Sequence, residues 1–571
     1  MIDGPGTMSK IRRVSPFTVA IIGIVAIGLA VRVGLIGRSG LWADEFFSLA
    51  IATGHSLEHP ADVADPSRGD FIEAEGAVPP ADYGRYLNHD IPAADPARVV
   101  RAVLLSDTSP PLYYLTLYAW TRLFGTGDAA LRLFSVAFWL ACLPLMGMLA
   151  RRLSGRRAVL PAYLLFSASP LCVHYSTEGR MYSMLWFLIL TTAWLTLSLH
   201  RRPPSAWRWS AWILASSAGM LTHYFFVFSW AGCVAWLVIH PGRSRRPSLV
   251  AALLLTGLLI APWYARLPQS LEAWRITQDW LKVGPDSYSR TRAFLKVFWN
   301  YFSPEGGRMS RAAMLALLSS LICMAAWKDG ARWRSTRRQF LWSWLLAAAI
   351  GPFVFDQLRG TYTATYPRYS IGGMPPAYLL VAVALAGFDY RARVIYCALL
   401  VATWSVGIRH EWAATSRAMT PYREAAAMLA EGVREDDLVI VHSIPSGVLG
   451  ISRYMEPQFT GPARPGVAAW VGQLGRRRVP GDIESLVEGR RRVRFVNIHS
   501  VHEPAPEESW LRRNATLAHE RQLQACYILE FVPRGSETFG ANRKQEPADR
   551  RKSRREGSGD DDSEGRSRPG A

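Results

Sequence analysis

Asp44 and Glu45 are neighbouring carboxylates at the point where the chain leaves its first apolar run. They stand in Ser39-Gly40-Leu41-Trp42-Ala43-Asp44-Glu45-Phe46-Phe47-Ser48. Two acids at a membrane exit are costly unless they face water, a cation or a reacting group. A carboxylate beside a reactant can take the proton of an attacking hydroxyl. The plain alternative is a solvated loop start, and the choice depends on what else the chain brings to the same face.

Further polar residues recur at the ends of apolar runs. Asp107 and Ser109 precede Pro110-Pro111, and His174, Tyr175, Glu178, Arg180 and Tyr182 share one short segment. His223 and Tyr224 follow, then Tyr366, Arg368 and Tyr369. Arginines suit a leaving phosphate, because the guanidinium donates two parallel charged hydrogen bonds. Taken singly, tyrosines and arginines anchor helix ends and loop histidines are solvated; together on one face they would make a site.

The elements that would position them are membrane helices. The 571 residues are 50% hydrophobic, with 22 Trp. The apolar residues come in runs of roughly 20, the length that crosses a ~30 Å hydrocarbon core. The runs are 16–37, 130–150, 158–175, 181–200, 208–222, 224–240, 248–266, 310–327, 339–356, 369–389 and 392–408. The first follows Lys10, Arg12 and Arg13 and is too long for a signal peptide core, so it reads as a retained helix. The formal charge of +20 does not indicate nucleic-acid binding. The arginines sit in short clusters between apolar runs, as a topology signal does.

One stretch, Pro110 to Phe124, is short and contains Arg122. If it lies along the outer surface as an amphipathic helix, all the basic clusters share the amino terminus's side. These clusters are Arg151 to Arg157, Arg201-Arg202, Arg243 to Arg246, Lys328 to Arg338, and Arg391/Arg393. The positive-inside rule makes that side cytoplasmic. The expected fold is thus an all-α polytopic membrane domain of about eleven transmembrane helices, over 1–409. Its outer loops are 38–129 and 267–309, the latter with Trp274 and Trp280. A small extracytoplasmic α/β domain, 410–535, is expected to follow, with a helix over 422–432 and strands at 437–442, 493–499 and 527–533. Residues 536–571 have almost no apolar content and read as a disordered tail. The protein belongs in the plasma membrane, amino terminus inside, candidate site outside. The six cysteines form no CxxC pair and read as small core residues. No Walker A or dinucleotide fingerprint occurs.

The chemistry that needs carboxylates and arginines at a membrane surface, with no nucleotide, is glycosyl transfer from a lipid-phosphate-linked sugar. The phosphate leaves and an acceptor hydroxyl attacks. Four motifs resemble the GT-C class of polyprenyl-phosphate-dependent glycosyltransferases. The likeness is to bacterial relatives of protein O-mannosyltransferases and of the lipid A aminoarabinose transferase. The motifs are Trp42-Ala43-Asp44-Glu45; Asp107-Thr108-Ser109-Pro110-Pro111-Leu112-Tyr113-Tyr114, running on to Leu131-Arg132-Leu133; Ser169-Pro170 with His174 to Tyr182; and Thr222-His223-Tyr224. The resemblance implies Asp44 as catalytic base with Glu45 beside it. It implies Arg180, Arg132, Arg368 and Tyr182 on the donor phosphate or in site structure, with Asp107, His174, Glu178, His223 and Tyr224 as further site residues. Where mannosyltransferases tend to have His-Pro-Pro and the aminoarabinose enzyme Lys-Pro, this chain has Ser109-Pro110-Pro111, so neither sugar is inherited. The partners implied are a polyprenyl-phosphate sugar, a protein, lipid or glycan acceptor hydroxyl, and membrane lipids. The resemblance implies no certain cofactor. A divalent metal stays open through His174 and Glu178, four residues apart, with Asp44 or Glu45 able to join. Two other functions remain: a transporter or lipid flippase, which should show paired repeats and mid-membrane charges, and a non-catalytic envelope scaffold.

Overall fold

The computed structural model describes residues 15–58, 64–107, 109–203, 205–242, 246–268, 290–329, 335–414, 420–459, 464–499, 505–535 and 537–540. Among them, eight helices are long and apolar enough to cross a membrane. They are Pro16–Ile36, Asp128–Ser154, Tyr182–Arg201, Arg246–Tyr264, Arg308–Lys328, Thr336–Arg359, Pro367–Ala386 and Tyr390–Ala413. A ninth candidate is broken, with Arg156–Ala168 and Pro170–Ser176 meeting at 61°. Length and composition therefore support eight or nine spans. The other two of the eleven expected runs fold as shorter helices, Ala206–Met220 and Phe226–Ile239, of 15 and 14 residues.

The break at Ser169-Pro170 has a local cause. Pro170 has no N–H and disfavours helical geometry in the residue before it. Ser169 is accordingly extended (φ −64°, ψ 129°), and its hydroxyl accepts the Cys172 N–H at 3.4 Å, starting the second helix. The bend delivers the segment 177–181 to one end of the bundle. Tyr182–Arg201 and Pro367–Ala386 are the most enclosed of the spans, while Pro16–Ile36 and Tyr390–Ala413 lie at the periphery. Outward side chains such as Ile27, Leu254 and Leu258 present the apolar surface a bilayer requires.

The first loop is folded. It carries the helices Ala43–Ala52, Pro96–Ser106 and Leu112–Phe124. The last buries Tyr113, Tyr114, Leu117 and Thr121 and leaves Leu123 and Phe124 exposed. It is amphipathic and, at 13 residues, too short to cross. In the second loop 267–268 and 290–309 are described, the latter beginning with the helix Arg290–Phe302. Trp274 and Trp280 lie outside the described residues.

The carboxyl-terminal region forms a five-stranded sheet in the order β2-β1-β3-β5-β4. The strands are β1 Asp437–His442, β2 Gly466–Trp470, β3 Arg492–Ile498, β4 Ala515–Leu523 and β5 Cys526–Pro533. β1 pairs in parallel with β2 and β3, whereas β5 runs antiparallel to both β3 and β4. Strands β2 and β4 were not foreseen. β4 is polar and mostly exposed, as an edge strand can be. The expected tail from 536 begins too early. Phe539 is buried and its backbone bonds to Gly489 and Arg490, because the large apolar ring completes the second core. Residues 541–571 lie outside the described residues.

This domain is fastened to the first loop. Val78 and Val467 exchange backbone hydrogen bonds at 3.0 and 2.7 Å, capping the outer edge of β2. Arg477 donates to the carbonyls of Ala74 and Glu75. Arg453 and the Tyr454 hydroxyl both donate to Asp128, and Arg423 pairs with it at 3.3 Å. The loop and the domain therefore lie on one side of the bundle.

Glu73 sits inside this junction, accepting the Val471 N–H at 2.6 Å. Burial raises its pKa to about 7, opposed by that bond and by Arg477. Because the folded-state value is raised, the stability it contributes is complete below the ordinary pKa of 4.5 and is lost as pH rises through 7. Glu73→Gln should therefore melt higher than wild type at pH 8 and match it at pH 5. Thermal unfolding in detergent at the two pH values measures this, and an equal gain at both would exclude titration as the cause.

Candidate active site

The site is built on one fully buried ion pair. Glu45 and Arg132 have no solvent exposure, and two N–H groups of Arg132 meet the two carboxylate oxygens at 2.8 and 2.7 Å. The remaining N–H groups of Arg132 donate to the carbonyls of Ile36, Ser39 and Gly40, each at 2.8 Å. All five donors of the guanidinium are thus used. Glu45 also accepts the N–H of Trp42 (3.1 Å) and of Gly179 (2.7 Å). The Trp42 bond is the reach-back of a capping box, since Glu45 is the third residue of its helix. One carboxylate therefore starts the Ala43–Ala52 helix, holds the chain's exit from the first span, and fixes the 177–181 segment.

Gly179 has to be glycine here. A Cβ would lie 2.5 Å from Cγ of Leu131, and its carbonyl accepts the Tyr113 hydroxyl at 2.7 Å. The Ser135 hydroxyl bonds the carbonyls on either side, of Glu178 (2.5 Å) and Arg180 (3.2 Å). Arg180 is thereby aimed at the site. Its Nη1 donates to the Asp44 carbonyl (3.2 Å), the Ser48 hydroxyl (2.9 Å) and the Tyr114 hydroxyl (3.3 Å). Its other nitrogens lie 3.9 Å from Asp44 Oδ2 and 3.6 Å from Asp107 Oδ2. Arg368 donates to the same Asp44 oxygen, at 3.2 Å. Asp107 accepts the Ser109 N–H (2.8 Å) and the Tyr114 hydroxyl.

The Asp44 carboxylate is 30% exposed, against 16% for Asp107 and none for Glu45. Of the three it alone combines solvent access with two guanidinium neighbours. Tyr175, Tyr182, His223 and Tyr369 make a chain of aromatic contacts beside it, with ring centroids 4.7 to 6.4 Å apart. Burial pushes the His223 imidazole down to about 3, with Arg180 adding to the effect. The ring is therefore neutral at pH 7. Its Nδ1 accepts the Phe225 N–H at 3.1 Å, which leaves the proton on Nε2. Tyr224 turns away and accepts from Trp263 at 3.3 Å.

The structure thus gathers Asp44, Asp107, Arg180, Arg368, Tyr182 and His223. It sets Arg132 and Glu45 beneath them as a sealed pair, so Arg132 has no donor left for a phosphate. His174 and Glu178 also meet Glu411 and Trp42. His174 Nδ1 is 2.8 Å from Glu411 and its Nε2 3.8 Å from Glu178, whose other oxygen accepts the Trp42 indole N–H at 3.0 Å. Among the described residues no group of three or more His, Cys, Asp or Glu could hold a metal ion. The pairing of His174 and Glu178 with Asp44 or Glu45 as ligands does not form, because Glu45 is consumed by Arg132. Residues not foreseen are Trp42, Ser48, Tyr114 and Glu411. Trp42 and Tyr114 stand inside the quoted motifs; nothing local marks Ser48 or Glu411.

Residues 108–265 match the sequence profile of the dolichyl-phosphate-mannose-protein mannosyltransferase family. No curated protein sequence matches the chain significantly. Among solved structures, ArnT from Cupriavidus metallidurans in the apo state superposes with a TM-score of 0.56 at 13% identity, covering 90% of this chain and 98% of that one. The form of ArnT bound to undecaprenyl phosphate gives the same figures. At that identity the likeness is one of fold, and it spans nearly the whole of both chains. The fold is that of the GT-C glycosyltransferases, and the resemblance to the O-mannosyltransferases and to ArnT stands.

Removing one partner of a buried ion pair strands the other, at about 3–5 kcal/mol. Arg132→Ala should therefore lower the melting temperature steeply and cut the folded yield from membranes. Differential scanning fluorimetry and size-exclusion profiles measure both, and an unchanged melting temperature would remove the pair from its structural role.

Proposed function

We propose that the protein transfers a sugar from a polyprenyl-phosphate donor to an acceptor hydroxyl, with the reaction on the extracytoplasmic side of the plasma membrane. The observation that carries this is a partly exposed Asp44 carboxylate held between Arg180 and Arg368. Asp44 is the base. It accepts the proton of the acceptor hydroxyl as that oxygen forms its bond to the sugar's anomeric carbon. The bond from that carbon to the phosphate oxygen breaks, and its electron pair leaves with the polyprenyl phosphate. Arg180 and Arg368 hold the departing phosphate, whose growing charge strengthens their bonds in the transition state. Glu45 and Arg132 position Asp44 and do not touch the substrate. Tyr182 and His223 line the donor side as neutral hydrogen-bonding and stacking groups. The eleven-helix arrangement, with Ala206–Met220 and Phe226–Ile239 as short spans, fits this reading. It keeps the arginine clusters on one side and Asp44 on the other.

The sugar and the acceptor class, whether protein, lipid or glycan, are identified by assay. Purified protein is incubated with a panel of polyprenyl-phosphate sugars and membrane acceptors, and released polyprenyl phosphate and products are read by mass spectrometry. Asp44→Asn should cut turnover by about 10²–10⁴-fold, the usual contribution of a general base, while still binding undecaprenyl phosphate. Arg180→Lys or Arg368→Lys should weaken that binding, because an ammonium cannot reproduce the bidentate geometry. Full turnover in Asp44→Asn overturns the assignment of the base. Absence of transfer from every donor overturns the function.

Orientation is tested separately. Ser67 in the first loop and Ser485 in the carboxyl-terminal domain are both exposed. Cysteines at these two positions should react with an impermeant maleimide in intact cells. Labelling only after permeabilisation would place the site in the cytoplasm.

A further inference from the structure

The segment that brings Arg368 to Asp44 follows the helix Thr336–Arg359, which ends at Gly360 in the left-handed region, φ +68°. Asp356 lies in the last turn of that helix and is 2% exposed. An acid is poorly placed there, because the carbonyl end of a helix carries partial negative charge. Burial makes it worse unless donors surround the carboxylate. Four donors do. Oδ1 accepts the Thr361 hydroxyl at 2.7 Å, the Thr363 N–H at 2.8 Å and the Thr363 hydroxyl. Oδ2 accepts the Ala364 N–H at 2.8 Å. All four come from the short stretch 361–364.

That stretch leads directly into the arginine. Thr363–Thr365 is a single buried helical turn, and its Thr363 carbonyl accepts the Tyr366 N–H at 3.1 Å. Pro367 then opens the short helix Pro367–Ser370, which carries Arg368. Arg290 supports the same turn, donating to the Thr361 carbonyl at 2.7 Å and lying 4.3 Å from the centre of the Tyr362 ring. Beyond the arginine, the Tyr301 hydroxyl donates to the Ser370 carbonyl at 2.7 Å, and the Trp186 indole to that of Ile371 at 3.1 Å. Arg368 is thus strung between an anchor at Asp356 and an anchor at 370–371. Its own bond to Asp44 is already 3.2 Å long. A displacement of about 0.5 Å would take that bond out of hydrogen-bond range.

We propose that Asp356 is a positioning residue that sets Arg368 where it can grip the donor's phosphate, while touching no substrate itself. The inference rests on the reading of Arg368 as a phosphate-holding group and deepens it. Asp356 is sealed beneath the turn, so its effect on the donor passes through the backbone from 361 to 368. A carboxylate is needed because all four partners donate, and an amide would turn its own N–H groups against one of them. The two arginines at Asp44 are then supported alike. Glu45 holds the segment of Arg180 through the Gly179 N–H, and Asp356 holds the segment of Arg368 through the turn 361–364.

The test measures undecaprenyl phosphate binding to the purified full-length protein in detergent, on variants that elute like wild type in size exclusion. Asp356→Asn keeps the shape and should weaken binding about tenfold, the range expected when a hydrogen bond to a charged group is lost. In an Arg368→Ala background the same change should move binding by less than about twofold, because the group through which Asp356 acts is gone. Thr363→Val removes one hydroxyl donor and should weaken binding in the same direction. Thr363→Ser keeps that donor and should bind like wild type. If Asp356→Asn is not recovered folded, the two Thr363 variants decide. Unchanged binding in Asp356→Asn overturns the inference. An equal loss with and without Arg368 overturns it too, since that marks a general loosening of the bundle, as does an equal loss in Thr363→Ser and Thr363→Val. An Arg368→Ala protein that binds undecaprenyl phosphate like wild type fails the parent reading of the arginine and takes Asp356 with it, so the two failures are distinguishable.

Discussion

The Glu45–Arg132 pair is the constraint on which the site depends. Two opposite charges without solvent exposure are stable only when every remaining donor and lone pair is engaged, and here they are. The partners come from the exit of the first span, the start of the loop helix, the Asp128–Ser154 helix and the 177–181 segment. Three separated stretches, 36–45, the Asp128–Ser154 helix and 177–181, are thereby held by one guanidinium and one carboxylate. Asp44 gains its place from its neighbour. Sitting one residue earlier on the same helical turn, it points away from the pair toward Arg180 and Arg368.

This division between adjacent acids could not be read from the sequence. Asp44-Glu45 marked the region, because two carboxylates at a membrane exit are expensive. Which acid is sealed and which is open depends on an arginine 87 residues away. Arg132 was assigned with the phosphate-binding arginines because residue type alone does not tell an engaged guanidinium from an available one. Arg180 and Arg368 were legible from their position at the ends of apolar runs. Ser48 and Glu411 were not, since each takes its meaning from contacts made across the fold.

The helices were more legible than the count of crossings. Runs of apolar residues mark helices wherever they occur, and Ser169-Pro170 marked a boundary. Whether a run of 14 or 15 residues spans a bilayer depends on what packs around it, which composition does not carry. In the carboxyl-terminal domain, β1, β3 and β5 announced themselves as short runs rich in Val, Ile, Leu, Phe and Tyr. The edge strand β4, mostly exposed, has no such pattern.

The Tyr454 hydroxyl accepts the Leu41 N–H at 2.6 Å and donates to Asp128 at 2.6 Å. Its place in the chain gives the contact a temporal meaning. Ribosomes make roughly 5–20 residues per second, so Leu41 waits on the order of half a minute before its partner is synthesised. During that interval the spans enter the bilayer in order, and the segment leading into Asp44 lacks its final hydrogen bond. The last domain to emerge then closes over the first loop to be made. The contact between the first loop and the last domain thus forms late, and the pocket reaches its working shape only after translation has passed residue 454.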